Sequence, residues 1–185
     1  VMANVAMLEG GPISPGENQI VQLRMKSPLA VAPGERFVVR APGPAGFNTT
    51  LGGGRILDTS NIRLRRGRPW TLEMLTAMRD ALDSPDRWVA IHLKQAGQAV
   101  GEESLARRAK MPVALVTDAL KTLTAKRIAR KMPDGKFICS ELIDQAAGAI
   151  VEALDQFHQA NPSRAGMTRA DLSGRIDAGA GVFDP

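Results

Sequence analysis

Residues 50–58 read Thr50-Leu51-Gly52-Gly53-Gly54-Arg55-Ile56-Leu57-Asp58, and the fold turns on what this glycine triplet is for. A phosphate loop needs its glycines after a strand and directly before a helix, so that backbone N–H groups and the helix N-terminus face the anion. Here Arg55-Ile56-Leu57-Asp58 continues as strand. The triplet is therefore predicted to be structural, either a β-bulge or a place where another backbone approaches closely. No G-x-x-x-x-G-K-[ST] occurs anywhere in the sequence.

Working upstream, the chain is written in strands. Val5, Met7 and then Ile20-Val21-Gln22-Leu23-Arg24-Met25 place apolar residues between turn signals such as Gly10-Gly11-Pro12 and Ser14-Pro15-Gly16. Pro33-Gly34 opens a strand through Phe37-Val38-Val39, and Ala41-Pro42-Gly43-Pro44 breaks it. Short strands joined by short turns predict a barrel or sandwich over residues 1–60.

Downstream the period changes to 3.6. Leu72, Leu75, Met78 and Leu82 form one predicted helical stripe, and Trp88, Ile91 and Ala96 a second, stopped by Gly97. Residues 61–69, polar, basic and ended by Pro69, read as a linker that is either simply solvated or in contact with phosphates. Residues 100–110 predict a short helix with acids first and bases last, as the macrodipole favours. Pro112 suits a first helical position, with Val113, Val116, Leu120 and Leu123 as the core stripe of the next helix. Met132-Pro133-Asp134-Gly135 is a turn between two short strands, since proline presets φ and glycine accepts φ > 0. Helices followed by a hairpin predict a winged helix over residues 70–140.

A second winged helix is predicted to start within residues 141–185. Leu142, Ile143, Ala146, Ala147, Ile150, Leu154 and Phe157 line a helix that ends near His158–Pro162. Thr168 then caps another, with Asp171 as the capping-box acid and Met167 and Leu172 as a staple. Ile176–Gly181 brings no recognition helix, so this unit reads as truncated.

Composition bounds the function. With 185 residues, 44% hydrophobic and 23% charged, the chain has the makings of folded domains and not of a disordered segment. Its single cysteine excludes an internal disulfide, and without a leader or a long apolar run the expected compartment is cytoplasmic. The formal charge of +5 is concentrated mid-chain. Arg63, Arg65, Arg66 and Arg68 form one group, and Arg107, Arg108, Lys110, Lys126, Arg127, Arg130 and Lys131 another; all are candidate nucleic-acid contacts. His92, His158 and Cys139 stand apart from one another, so no catalytic, metal or cofactor-binding set is expected and the chain is not predicted to be an enzyme.

The segments PGENQIVQLRMKSPLAVAPGERFVVR (residues 15–40), TLGGGRILD (50–58) and ALDQFHQANPSRAGMTRADL (153–172), in this order around a basic linker and a winged helix, resemble the selenocysteine-specific translation elongation factors of SelB type. The resemblance covers nearly the whole chain. It implies a multidomain protein: the end of an all-β barrel like the third domain of elongation factor Tu, followed by α/β winged-helix domains. It further implies a parent GTPase that carries selenocysteinyl-tRNA to a ribosome paused at a recoded UGA and is tethered to an mRNA hairpin. GTP and Mg²⁺ would belong to an N-terminal domain absent here, which leaves this fragment a connector with weak, non-specific RNA contact. A winged-helix DNA-binding transcriptional regulator is the alternative, with Pro112–Thr124 as recognition helix.

Overall fold

The computed structural model describes residues 1–42, 48–60 and 62–175. The protein is mixed α/β, with its strands in small antiparallel pairs, and it divides into two compact units, Val1–Ser84 and Pro85–Pro185.

In the first unit, β1 (Ala3–Met7) pairs with β2 (Val21–Met25), Ala3 opposite Met25 and Met7 opposite Val21. The Leu8 N–H continues the ladder to the Ile20 carbonyl at 3.3 Å, and both side chains are buried. β3 (Arg36–Pro42) pairs with β4 (Asn48–Arg55), and most of the break expected at Ala41–Pro44 lies outside the described residues. The pairing runs on past Arg55, because the Ile56 N–H donates to the Glu35 carbonyl and its carbonyl accepts the Gly34 N–H, both at 2.8 Å.

The glycine triplet thus lies within a strand, as its sequence context requires. Val39 opposes Gly52 but Arg40 opposes Thr50, which makes Leu51 the extra residue of a bulge. A methyl group on Gly53 would lie 2.5 Å from the Phe37 carbonyl oxygen, and one on Gly54 would meet the Phe37 ring at 2.8 Å. The close approach foreseen for the glycines is present at Gly53, whereas the bulge falls on the preceding residue, Leu51.

The expected barrel is not seen. The four strands form two separate pairs, and no closed barrel exists among the described residues. Closure needs a continuous staggered ladder around the sheet, whereas pairing two by two leaves edges.

Helix α1 (Pro69–Ala81) starts where the period changes. Its buried residues are Thr71, Leu75, Met78 and Ala81, so the stripe is rotated slightly from the one expected, and Leu72 and Leu82 are only half-buried. Just after it, Asp83 accepts two hydrogen bonds from Arg55 of β4, at 2.7 and 2.8 Å.

In the second unit, α2 (Pro85–Ala96) buries Trp88, Val89, His92 and Leu93 where Trp88, Ile91 and Ala96 were expected, and Gly97 follows at φ +68°. Helices α3 (Glu102–Ala109) and α4 (Val113–Ala125) come next, then β5 (Ala129–Lys131), β6 (Phe137–Cys139), α5 (Ser140–Ala160) and α6 (Arg169–Arg175). Val116, Ala119, Leu120 and Leu123 of α4 join Leu93 and Leu105 in one core, the i, i+3, i+4, i+7 face of an amphipathic helix. Val113 does not join them. Pro112 occupies the N-cap in an extended conformation (φ −56°, ψ 139°) instead of the first helical position, so the buried stripe begins a turn later. Val100, read as part of α3, bridges Phe137 instead, with N···O distances of 2.8 and 2.9 Å.

The β5–β6 turn is the one its residues predict. The Gly135 N–H reaches the Met132 carbonyl at 2.9 Å, and Gly135 sits at φ +82°. Before α6, the Thr168 hydroxyl oxygen accepts the Asp171 N–H at 3.2 Å and its hydroxyl donates to that carboxylate at 2.7 Å, the expected cap in a variant form. The segment expected at Ile176–Gly181 lies outside the described residues. No helix among the described residues is long and apolar enough to cross a membrane.

Candidate nucleic-acid interface

The basic residues at 63–68 are not on a loose tether. Gln22, in the middle of β2, donates from Nε2 to the Ile62 carbonyl at 2.8 Å and accepts the Leu64 N–H at Oε1, at 3.2 Å. Arg24, two residues on and so on the same face of the strand, donates from Nη2 to the Leu64 carbonyl at 3.4 Å. The Gly67 N–H points to the Leu8 carbonyl at 3.4 Å, with Gly67 at φ +69°. The segment is a strap along the β1–β2 hairpin.

Pinning at Ile62 and Leu64 leaves the arginines outside. Leu64 is half-buried, whereas Arg63, Arg65, Arg66 and Arg68 are exposed, and none forms an ion pair with a described residue. No Asp or Glu occurs from Thr59 to Leu72. Trp70, second residue of α1, is 63% exposed. Sequence reasoning passed over it, although Trp70 stands off the Thr71–Leu75–Met78 stripe.

The second basic group is divided by the fold. Arg107 and Arg108 lie in the last turn of α3, followed by Lys110, whereas Lys126 and Arg127 follow α4 and Arg130 and Lys131 lie in β5. Helix α4 has 13 residues, which at 1.5 Å per residue separates its ends by about 20 Å. All seven side chains are exposed, yet several are engaged: Lys126 with Asp86 at 3.6 Å, Arg108 near the Gln95 carbonyl at 3.5 Å, and Lys131 above the Phe137 ring at 5.6 Å. Lys110 (φ 53°) and Arg127 (φ 59°) hold the left-handed position after their helices, where glycine is usual.

The outer face of α4 carries little positive charge. Val113 and Leu115 are exposed there, and its one lysine, Lys121, is paired with Asp118 at 2.8 Å; that hydrogen bond raises the Lys121 pKa. At the tip of the β5–β6 turn, Lys136 pairs with Asp134 at 2.8 Å and, through hydrogen bonding, holds its carboxyl below the ordinary value. Neither surface is built to grip a phosphate backbone.

The remaining candidates are in packing or surface positions. His92 is buried with its ring edge-on to Trp88 at 5.0 Å, Cys139 is buried in β6, and His158 is exposed beside Phe157. Among the described residues no three His, Cys, Asp or Glu are grouped so as to hold a metal.

No protein-family model matches the chain. The chain is 28% identical over 175 residues to the selenocysteine-specific elongation factor of Desulfomicrobium baculatum, a likeness that covers 93% of this chain and 27% of that protein. The chain therefore spans about a quarter of the length of the curated relative it matches. Running through both compact units, this likeness supports a fragment of the selenocysteine-specific elongation factor type.

Proposed function

We propose that the chain is the connecting segment of a translation factor that delivers selenocysteinyl-tRNA to ribosomes at recoded UGA codons. The observation that carries this reading is the extent of the likeness, 93% of the chain, which neither unit alone would supply. In this reading β1–β4 contribute to a barrel completed by other strands of the parent protein. Helices α2–α4 with the β5–β6 hairpin form a winged helix that acts as a strut, and α5–α6 begin the next one. GTP and Mg²⁺ act in another domain of the parent protein, an mRNA hairpin is held by other winged helices, and the whole works in the cytoplasm. This segment has no catalytic role. The regulator alternative asks α4 to read a DNA groove, and its exposed valine, leucine and paired lysine suit that poorly.

Disrupting the gene that encodes the chain tests the proposal. Incorporation of radioactive selenium into protein at UGA codons should be lost while bulk translation continues. Undiminished selenium incorporation would overturn it.

A further inference from the structure

We propose that the strap and Trp70 form a binding site for an unpaired stretch of RNA, with the guanidinium groups on its phosphates and the indole stacked on a base. Three observations converge. The four arginines at 63, 65, 66 and 68 are exposed, free of ion pairs with described residues, and on a segment without a carboxylate. The backbone beside them is held at Ile62 and Leu64 by Gln22 and Arg24 and at Gly67 by the Leu8 carbonyl, so less ordering entropy is lost on binding. Arg63 and Arg65 lie ahead of the turn at Arg66-Gly67, where residues two apart advance at most about 6.6 Å, a step comparable to that between successive phosphates of an extended strand. Finally, of the two tryptophans, Trp88 is 3% exposed and donates from Nε1 to the Ala109 carbonyl, whereas Trp70 is 63% exposed.

A large aromatic face left in water beside unpaired guanidinium groups is the equipment of single-strand binders, which follow the backbone with cations and stack bases on aromatic rings. A duplex would keep its bases out of reach. A protein-docking site would gather apolar side chains around Trp70, whereas along the sequence it is preceded by Arg66, Gly67, Arg68 and Pro69, and Ile62 is the one other large apolar side chain exposed on the strap. A membrane surface would likewise ask for more apolar side chains. The choice of RNA as the natural strand rests on the translation reading above; the chemistry of the site does not.

Titration of the whole chain with a short oligoadenylate, followed by tryptophan emission and by anisotropy of the labelled oligonucleotide, tests the site. Binding should quench Trp70, and buried Trp88 supplies the background seen in Trp70→Ala. Heparin, which has charge but no bases, and a duplex of equal length should leave the emission unchanged. Trp70→Ala should weaken binding by roughly 5- to 150-fold, the worth of one stacked base, and Trp70→Phe should recover most of it. Arg65→Ala with Arg66→Ala should lower the salt slope by about 1.4, at roughly 0.7 per phosphate contact. Equal affinity in Trp70→Ala, an unchanged slope in the double variant, or stronger quenching by heparin, polyglutamate or anionic vesicles would each overturn the site. A failed titration alongside selenium incorporation that still needs the gene would remove the site and leave the translation role standing. Normal titration without that dependence would do the reverse.

Discussion

Gly52 and Gly53 are neighbours in β4, yet the space around them differs. A methyl group on Gly53 meets the Phe37 carbonyl oxygen at 2.5 Å, and that oxygen is backbone and cannot swing aside; at Gly52 nothing lies within 4 Å. Neither has positive φ, so steric contact alone separates them. Gly53→Ala should cost about 1–3 kcal/mol through forced backbone displacement, whereas Gly52→Ala should be neutral or stabilising by up to about 1 kcal/mol, since alanine restricts the unfolded chain. Urea unfolding of both variants decides it, and equal effects would mean that β3 and β4 are not held this closely. Gly54 is intermediate, because its obstacle is the Phe37 ring, which can turn. That the triplet serves a strand was legible from Arg55-Ile56-Leu57 alone. Which of its glycines matters was not, because the answer lies on β3.

The same division between local and distant causes runs through the elements. Helix α4 was legible because Val116, Leu120 and Leu123 recur at helical spacing, and the β5–β6 turn because Pro133 and Gly135 each impose their own φ. The strap was not legible, since the groups that hold Ile62 and Leu64 lie about 40 residues away on β2. Nor was the pairing of the strands, where four plausible strands fit a barrel as well as two hairpins. Trp70 was not legible as a candidate because it is neither charged nor on the core stripe of α1.

One long-range tie between elements can be tested by pH. The Arg55 hydrogen bonds hold the Asp83 carboxyl below its ordinary value, against a smaller opposing effect of desolvation. A lowered carboxylate pKa contributes stability fully above the unfolded value and loses it as pH falls through the folded value. Arg55→Met should therefore be less stable than the native chain near neutral pH, and the gap should close on acidification through the Asp83 titration. Followed by NMR, Asp83 should titrate below 3.8 in the native chain and return toward it in the variant. A gap independent of pH would assign the effect to packing by Arg55 and not to its charge.

At the scale of the molecule, charge and chemistry point the same way. The exposed basic residues gather on the strap and at the two ends of α4, where they suit a polyanion, and the sequence carries no G-x-x-x-x-G-K-[ST] motif. The glycine triplet has its backbone committed to pairing with β3 and is followed by Ile56, which continues that pairing. A phosphate loop, by contrast, leaves its N–H groups converging on the anion ahead of a helix, and phosphoryl transfer also needs a lysine and a Mg²⁺-holding hydroxyl that no glycine motif here supplies. Under the proposed division of labour, GTP is bound in another domain of the parent factor. Calorimetric titration of the Trp70→Ala chain, which lacks the stacking face of the strap, with GTP and Mg²⁺ should therefore give only heats of dilution. Saturable micromolar binding would show that the segment carries a nucleotide site of its own, and would overturn both the structural role of Gly52–Gly54 and the assignment of GTP to a separate domain.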